Sequence, residues 1–201
     1  MQSTNNYFLK GKKIGLRAIE REDIFSIAKW LNDEIVTYFM FYGQRPTNQD
    51  QINEEMQKQI NSQDNVIFLI ISLKTKKPIG FTGLYGIHLT SRKAEFRILI
   101  GEKSFWNKGY GTEVTELVTY YGFDRLNLNK IWLGYEKENK AAGKCYEKAG
   151  YSTEGISRED IYRNSRYYDG VRMAILRKDY YEKFYKLHSK IFKPEFLRKV
   201  K

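Results

Sequence analysis

One stretch constrains the fold more than any other. Between Lys93 and Tyr135 an alternating strand, a glycine-punctuated loop, an amphipathic helix and a second strand follow one another. Lys93 to Ile100 places Ala94, Phe96, Ile98 and Ile100 on one face and Glu95, Arg97 and Leu99 on the other. The loop Trp106-Asn107-Lys108-Gly109-Tyr110-Gly111-Thr112 opens a helix in which Val114, Leu117, Val118 and Tyr121 recur at helical spacing. That helix ends near Phe123, after which Ile131, Leu133 and Tyr135 alternate again. A strand, crossover helix and strand of this length close right-handed, so Lys93–Ile100 and Lys130–Tyr135 are expected to be parallel neighbours. The class is α/β.

The rest of the chain adds antiparallel material and helices. Lys13 to Ala18 reads as a strand, Glu22 to Leu31 as a helix broken by Asn32-Asp33, and Thr47 to Gln63 as a polar helix with Ile52, Met56 and Ile60 on one side. Val66 to Leu73 is a buried strand, turned by Lys76-Lys77-Pro78 into Ile79 to Tyr85, which makes a hairpin. Asn139 to Lys148 is a helix closed by Gly150, and Val171 to Leu176 is the last strand. At 201 residues, without an internal repeat or Pro-rich linker, the chain is expected to form one domain over 1–182, followed by a basic helix or tail over 183–201.

Composition excludes several classes. Hydrophobic residues at 41% rule out a disordered chain. The longest apolar run, Val66 to Ile71, is far short of the roughly 20 residues that span a bilayer. No basic region followed by an apolar stretch opens the sequence, so a cytoplasmic protein is expected. A single cysteine, Cys145, with only His88 and His188 beside it, supports neither a disulfide nor a metal cluster. Both histidines read as surface residues, and Cys145 as a small core residue. Of the net charge of +11, the segment from Lys183 to Lys201 contributes +6, with seven Lys or Arg against one Glu. Basic excess of this kind favours anionic partners.

The glycine loop suits an anion. A glycine-rich helix mouth presents unpaired N–H groups backed by the positive end of the helix dipole. Gly109 and Gly111 carry no side chain to obstruct a phosphate, and Lys108 adds a cation. The loop lacks both the GxGxxG of a dinucleotide fold and the GK[ST] of a P-loop. Taken alone it is equally an ordinary turn before a helix.

Several further segments share its context. They are Leu16-Arg17 with Glu20-Arg21-Glu22-Asp23-Ile24, Trp30-Leu31-Asn32-Asp33, Ala94-Glu95-Phe96, Glu138-Asn139 to Ala142, Tyr146 to Tyr151 and Glu154-Gly155, followed by Arg158, Tyr167, Asp169 and Met173. In order and spacing, over roughly Lys13 to Tyr181, the chain resembles the GNAT superfamily of acyl-CoA N-acyltransferases. The branch it resembles contains ribosomal-protein alanine, spermidine and amino-sugar acetyltransferases. Trp106 stands where the superfamily usually has Arg or Gln, and Asn107 and Ser165 where the branch often has glycine.

The resemblance implies a mixed, mostly antiparallel central sheet with one splayed parallel strand pair and flanking helices. It also implies acetyl-CoA as cosubstrate and direct attack of an amine on the thioester. Trp106, Asn107, Lys108, Gly109, Tyr110, Gly111 and Thr112 would form the pyrophosphate loop. The backbone of Ile98, Leu99 and Ile100 would pair with the pantetheine arm, and Asn139 and Lys144 would lie near the cofactor. Tyr146 would protonate the departing thiolate, and Glu95 would serve as base or anchor of the substrate ammonium. For Tyr146 plain core packing stays open, and for Glu95 a structural ion pair with Arg97, or a base acting through water. The acceptor amine, whether an amino sugar, a protein N-terminus or a small amine, is undetermined. The net charge argues against a polyamine and toward an anionic acceptor. Acceptor specificity is expected from Glu22–Gln63 and Ile156–Tyr168. No metal is expected, and a homodimer is left open. The less favoured alternative is an inactive GNAT-fold protein whose tail binds nucleic acid or an anionic membrane, since Phe184, Leu187 and Ile191 fall on one side among lysines.

Overall fold

The computed structural model describes residues 6–40 and 45–193. Short strands β1 (Leu9–Lys10) and β2 (Ile14–Arg17) lead into helices α1 (Ile24–Leu31), α2 (Glu34–Thr37) and α3 (Gln49–Asn61). Strands β3 (Val66–Ser72), β4 (Pro78–His88) and β5 (Lys93–Ile100) come next, then α4 (Tyr110–Asp124), β6 (Lys130–Glu136) and α5 (Lys140–Lys148). The hairpin β7 (Ser152–Arg163) and β8 (Arg166–Leu176) precedes α6 (Arg177–Tyr180), a π-helical turn over Tyr181–Tyr185, and α7 (Lys186–Phe192). Among the described residues the strands form one sheet in the order β1-β2-β3-β4-β5-β6-β8-β7. Every pairing is antiparallel except β5 with β6.

The expected parallel pair is therefore present, but it is short. β5 and β6 pair only at Lys93↔Lys130, Ala94↔Ile131 and Glu95↔Trp132. Beyond that point β5 stays in register with β4 as far as Ile100, whereas β6 continues against β8 as far as Glu136. From Phe96 onward the two strands diverge, and the edge of β5 that faces β6 has no strand partner.

The alternation along β5 assigns its two faces to two cores. Ala94 and Phe96 pack with α4, Tyr146 and Tyr151. Leu99 packs on the other face with Ile27 and Trp30 of α1, Ile52 and Met56 of α3, and Leu69 of β3. Helix α3 keeps a polar outer face, and Asn48 and Gln51 close its first turn as a reciprocal capping box. Gly150 ends α5 at φ +94, a left-handed conformation that glycine adopts freely, and a Cβ there would lie 2.4 Å from the Phe184 ring.

Two expectations need correction. No strand is legible between Gly150 and Val171, yet β7 runs twelve residues and β8 begins five residues earlier than expected. β7 is an edge strand exposed along nearly its whole length, so no inward alternation marks it. His188 is not on the surface. It is 2% exposed, packed against Tyr180, Phe184 and Phe192, and its Nδ1 shares a 3.0 Å hydrogen bond with the Tyr180 hydroxyl. The face that docks is Tyr180, Phe184, His188 and Phe192, while Leu187 of the expected stripe points outward at 57% exposure. The boundary expected at 182/183 falls inside the π-helical turn. The remainder of the basic tail lies outside the described residues.

Candidate active site

The glycine loop opens α4 through two left-handed backbone positions. Gly109 takes φ +79 at the N-cap of α4, and Asn107 holds φ +56, so asparagine supplies the left-handed turn where the branch often has glycine. The first intrahelical bond runs from Glu113 N–H to the Gly109 carbonyl, leaving the N–H groups of Tyr110, Gly111 and Thr112 at the mouth of the helix. A Cβ on Gly111 would meet nothing closer than the Cys145 sulfur at 3.6 Å, so the protein itself does not fill that space. Two cations flank the mouth. Lys108 Nζ donates to the Ser104 carbonyl at 2.7 Å, and Lys13 Nζ donates to the Lys108 carbonyl at 2.9 Å while lying 5.7 Å from the Tyr110 ring centroid. The nearby carboxylate, Glu113, is turned away and accepts the backbone N–H of Lys13 at 2.7 Å. Free N–H groups, two ammonium groups and no opposed carboxylate suit a phosphorylated cosubstrate.

Lys13 has no motif signal. In the sequence it merely opens a strand, and only the approach of β2 to α4 brings it to the loop. Trp106 does its work on the protein, its indole Nε1–H donating to the Ile100 carbonyl at 2.7 Å and so fixing the loop to the end of β5. The Ile98 and Leu99 backbone lies on the diverging edge of β5.

Tyr146 sits on the α5 face of that divergence. Its ring packs edge-on to Phe96 and Tyr135 at centroid distances of 6.4 and 5.7 Å. The side chain is 9% exposed, and its hydroxyl has no hydrogen-bond partner among the described residues. Burial of the ring raises the phenol well above its ordinary value, so it keeps its proton through the physiological range. The loop and Tyr146 are joined through Cys145, whose sulfur accepts from the Thr112 hydroxyl at 3.5 Å. Burial raises the Cys145 thiol, so it keeps its proton. Asn139 caps α5, its side chain accepting the Ala142 N–H at 3.1 Å, and Lys144 is exposed on the same helix.

Glu95 and Arg97 lie on the opposite face of β5 and form an ion pair at 2.6 Å, with the Arg97 guanidinium stacked 4.8 Å from the Tyr85 ring centroid. On that face a cleft of about 390 Å³ opens between α3 and the β4–β5 surface. It draws on the expected segment 22–63 through Leu31, Met40, Arg45, Thr47, Ile52 and Met56, and reaches Ile98 and Leu99. Residues 156–168 do not line it. They touch its neighbourhood indirectly. Arg163 binds the buried Glu136 carboxylate through two hydrogen bonds, at 2.6 and 2.5 Å, and stacks 4.1 Å from the Tyr38 ring centroid. His88 is exposed, and its Nδ1 accepts the Ser91 N–H at 3.0 Å, outside the site.

A cleft on one face, a buried phenol on the other and a glycine-opened helix mouth surround the divergence of two parallel strands. The sequence profile of the Acetyltransferase (GNAT) domain matches residues 13–152. The chain belongs to the GNAT acetyltransferases. It is an N-acetyltransferase, and its cosubstrate is acetyl-CoA. It is 31% identical over 168 residues to the spermidine N(1)-acetyltransferase of Escherichia coli (strain K12), an alignment covering 83% of this chain and 88% of that protein. With the spermidine N(1)-acetyltransferase of Vibrio cholerae it shares 32% identity over 169 residues, 84% of this chain and 95% of the relative. The crystal structure of spermidine N-acetyltransferase from Vibrio cholerae in complex with CoA and spermine superposes with a TM-score of 0.77, covering 84% of this chain and 98% of that one. Among the described residues no group of side chains could hold a metal ion, and no helix is long and apolar enough to cross a membrane.

Proposed function

We propose that this GNAT enzyme transfers acetyl from acetyl-CoA to a primary amine by direct attack in a ternary complex, with Tyr146 as general acid. The observation that carries the reading is the divergence of β5 from β6, which leaves the thioester position open to the cleft on one face and to the Tyr146 hydroxyl on the other. The residues 106–112 and Lys13 hold the pyrophosphate, and the backbone at Ile98 and Leu99 orients the pantetheine arm. The free amine attacks the thioester carbon from the cleft side. N–H groups on the exposed edge of β5 stabilise the oxyanion as charge develops. Collapse of that intermediate expels the thiolate toward α5, where Tyr146 delivers its proton. Burial keeps the phenol protonated, so its proton is in place when the thiolate departs. The Glu95 carboxylate, held by Arg97, takes the proton released by the amine, directly or through water. The reading places the reaction in the cytoplasm.

The test is release of thiol from acetyl-CoA with a panel of primary amines. Release in proportion to enzyme, with mass addition of one acetyl group to the amine, is expected. Hydrolysis of acetyl-CoA at the same rate with and without amine would overturn it.

A further inference from the structure

The cleft against β5 has a chemical character of its own. Its exposed lining is mostly apolar surface, from Leu31, Ile52, Met56, Phe81 and Leu99, interrupted by the neutral polar side chains of Thr47, Gln51, Gln59 and Tyr85. Charged lining is sparse. Glu55 is the one carboxylate among the described lining residues, and it lies exposed at the rim, where it accepts from the Gln59 side-chain amide at 2.7 Å. Against it stand two guanidinium groups, Arg45 and Arg97, the second already paired with Glu95.

Such a wall selects by desolvation. A primary amine leaving water for an apolar surface sheds its proton more readily, and the neutral form is the nucleophile. A single amine therefore gains reactivity by entering. A polyamine must bring additional ammonium groups, each of which needs a carboxylate partner in the cleft or pays for its own dehydration. Among the described lining residues Glu55 is the one carboxylate to receive such a group, and Arg45 repels a second positive charge.

We propose that the acceptor is a primary monoamine carried on an apolar body, seated between α3 and the β4–β5 face. This inference rests on the acetyl-transfer reading and narrows its substrate. It separates this chain from the relatives whose names specify spermidine.

The experiment compares 2-phenylethylamine with spermidine in two measurements. One is kcat/KM for thiol release from acetyl-CoA. The other is calorimetric binding of each amine to the protein saturated with CoA. The expected result is a kcat/KM for 2-phenylethylamine at least about tenfold above that for spermidine, with tighter binding of the monoamine. Replacing exposed Arg45 in the Arg45→Glu variant should move the ratio toward spermidine by about fivefold, near the upper end for a solvent-exposed charge pair. Spermidine preferred in both measurements overturns the monoamine assignment and leaves acetyl transfer standing. No thiol release with either amine, while another primary amine of the panel supports release, overturns the monoamine assignment and leaves acetyl transfer standing; no release with any amine of the panel overturns the transfer reading. Tighter binding of spermidine, or no binding of either amine, removes the proposal.

Discussion

Replacement of Tyr146 by phenylalanine removes one hydroxyl and leaves the packing of the ring in place. The contacts to Phe96, Tyr135 and Tyr151, at centroid distances of 6.4, 5.7 and 6.4 Å, belong to the ring and survive in Tyr146→Phe. The hydroxyl has no partner among the described residues, so its loss orphans no buried group. Stability should therefore change by no more than about 0.5 kcal/mol. For a domain of this size that is about 1–2 °C in Tm. Turnover should respond very differently. A lost general acid usually costs roughly 10²- to 10⁴-fold, or about 2.7–5.4 kcal/mol of barrier. Acetyl-CoA affinity should barely move, because the loop proposed to hold the pyrophosphate lies at the other end of the site. The assay is steady-state thiol release beside calorimetric titration with CoA and a thermal melt. The pH profile adds a sign. Because burial raises the phenol, its acid form persists, and wild-type kcat should show no alkaline fall caused by Tyr146 below about pH 10. Equal turnover in wild type and variant, with chemistry shown to be rate-limiting, would refute the assignment. A large loss of Tm with turnover preserved would refute it equally, by making Tyr146 a packing residue.

Three further outcomes follow from the same geometry. Phe192 is 4% exposed, with its ring 5.9 Å from Tyr120 and 5.3 Å from His188, so Phe192→Ala should lose about 3–5 kcal/mol, or roughly 6–20 °C in Tm, while turnover per folded molecule holds. A melt within a degree of wild type would show that α7 contributes nothing to the core. Burial lowers His188 to about 4, so the folded state keeps it neutral while the unfolded chain protonates it from about pH 6.5 downward. Stability should fall as pH drops from 6.5 toward 4, by at most roughly 3 kcal/mol, and His188→Gln should flatten that slope in melts across the range. An unchanged slope would rule out His188 as its source. Lys13→Met should weaken acetyl-CoA binding about tenfold, or ~1.4 kcal/mol, with kcat nearly constant, since Lys13 touches the Lys108 carbonyl and not the reacting atoms. Calorimetry giving an unchanged Kd would remove Lys13 from the cofactor site.

The strand, glycine loop, helix and strand were legible because periods of two and 3.6 residues, punctuated by glycine, are local properties of a chain. From them came the α/β class, the parallel pair, the two faces of β5 and the glycine-opened mouth of α4. The hairpin of β3 and β4 and the Gly150 closure of α5 were legible for the same reason. Resemblance then attached roles to Tyr146 and the loop. What the sequence could not supply depends on contacts between distant segments. Lys13 reaches the loop only because β2 lies beside α4, nearly a hundred residues away in the chain. β7 escapes notice because an edge strand exposed on both faces needs no alternating pattern. The basic tail reads as a solvated helix, yet its π-helical turn widens the repeat and brings Tyr180, Phe184, His188 and Phe192 into register on one buried face. Divergence of β5 from β6 is likewise invisible in either strand, for it arises where β6 turns to follow β8 while β5 follows β4. Local periodicity fixed which elements form, and the pairing of remote edges decided where the gap between them opens.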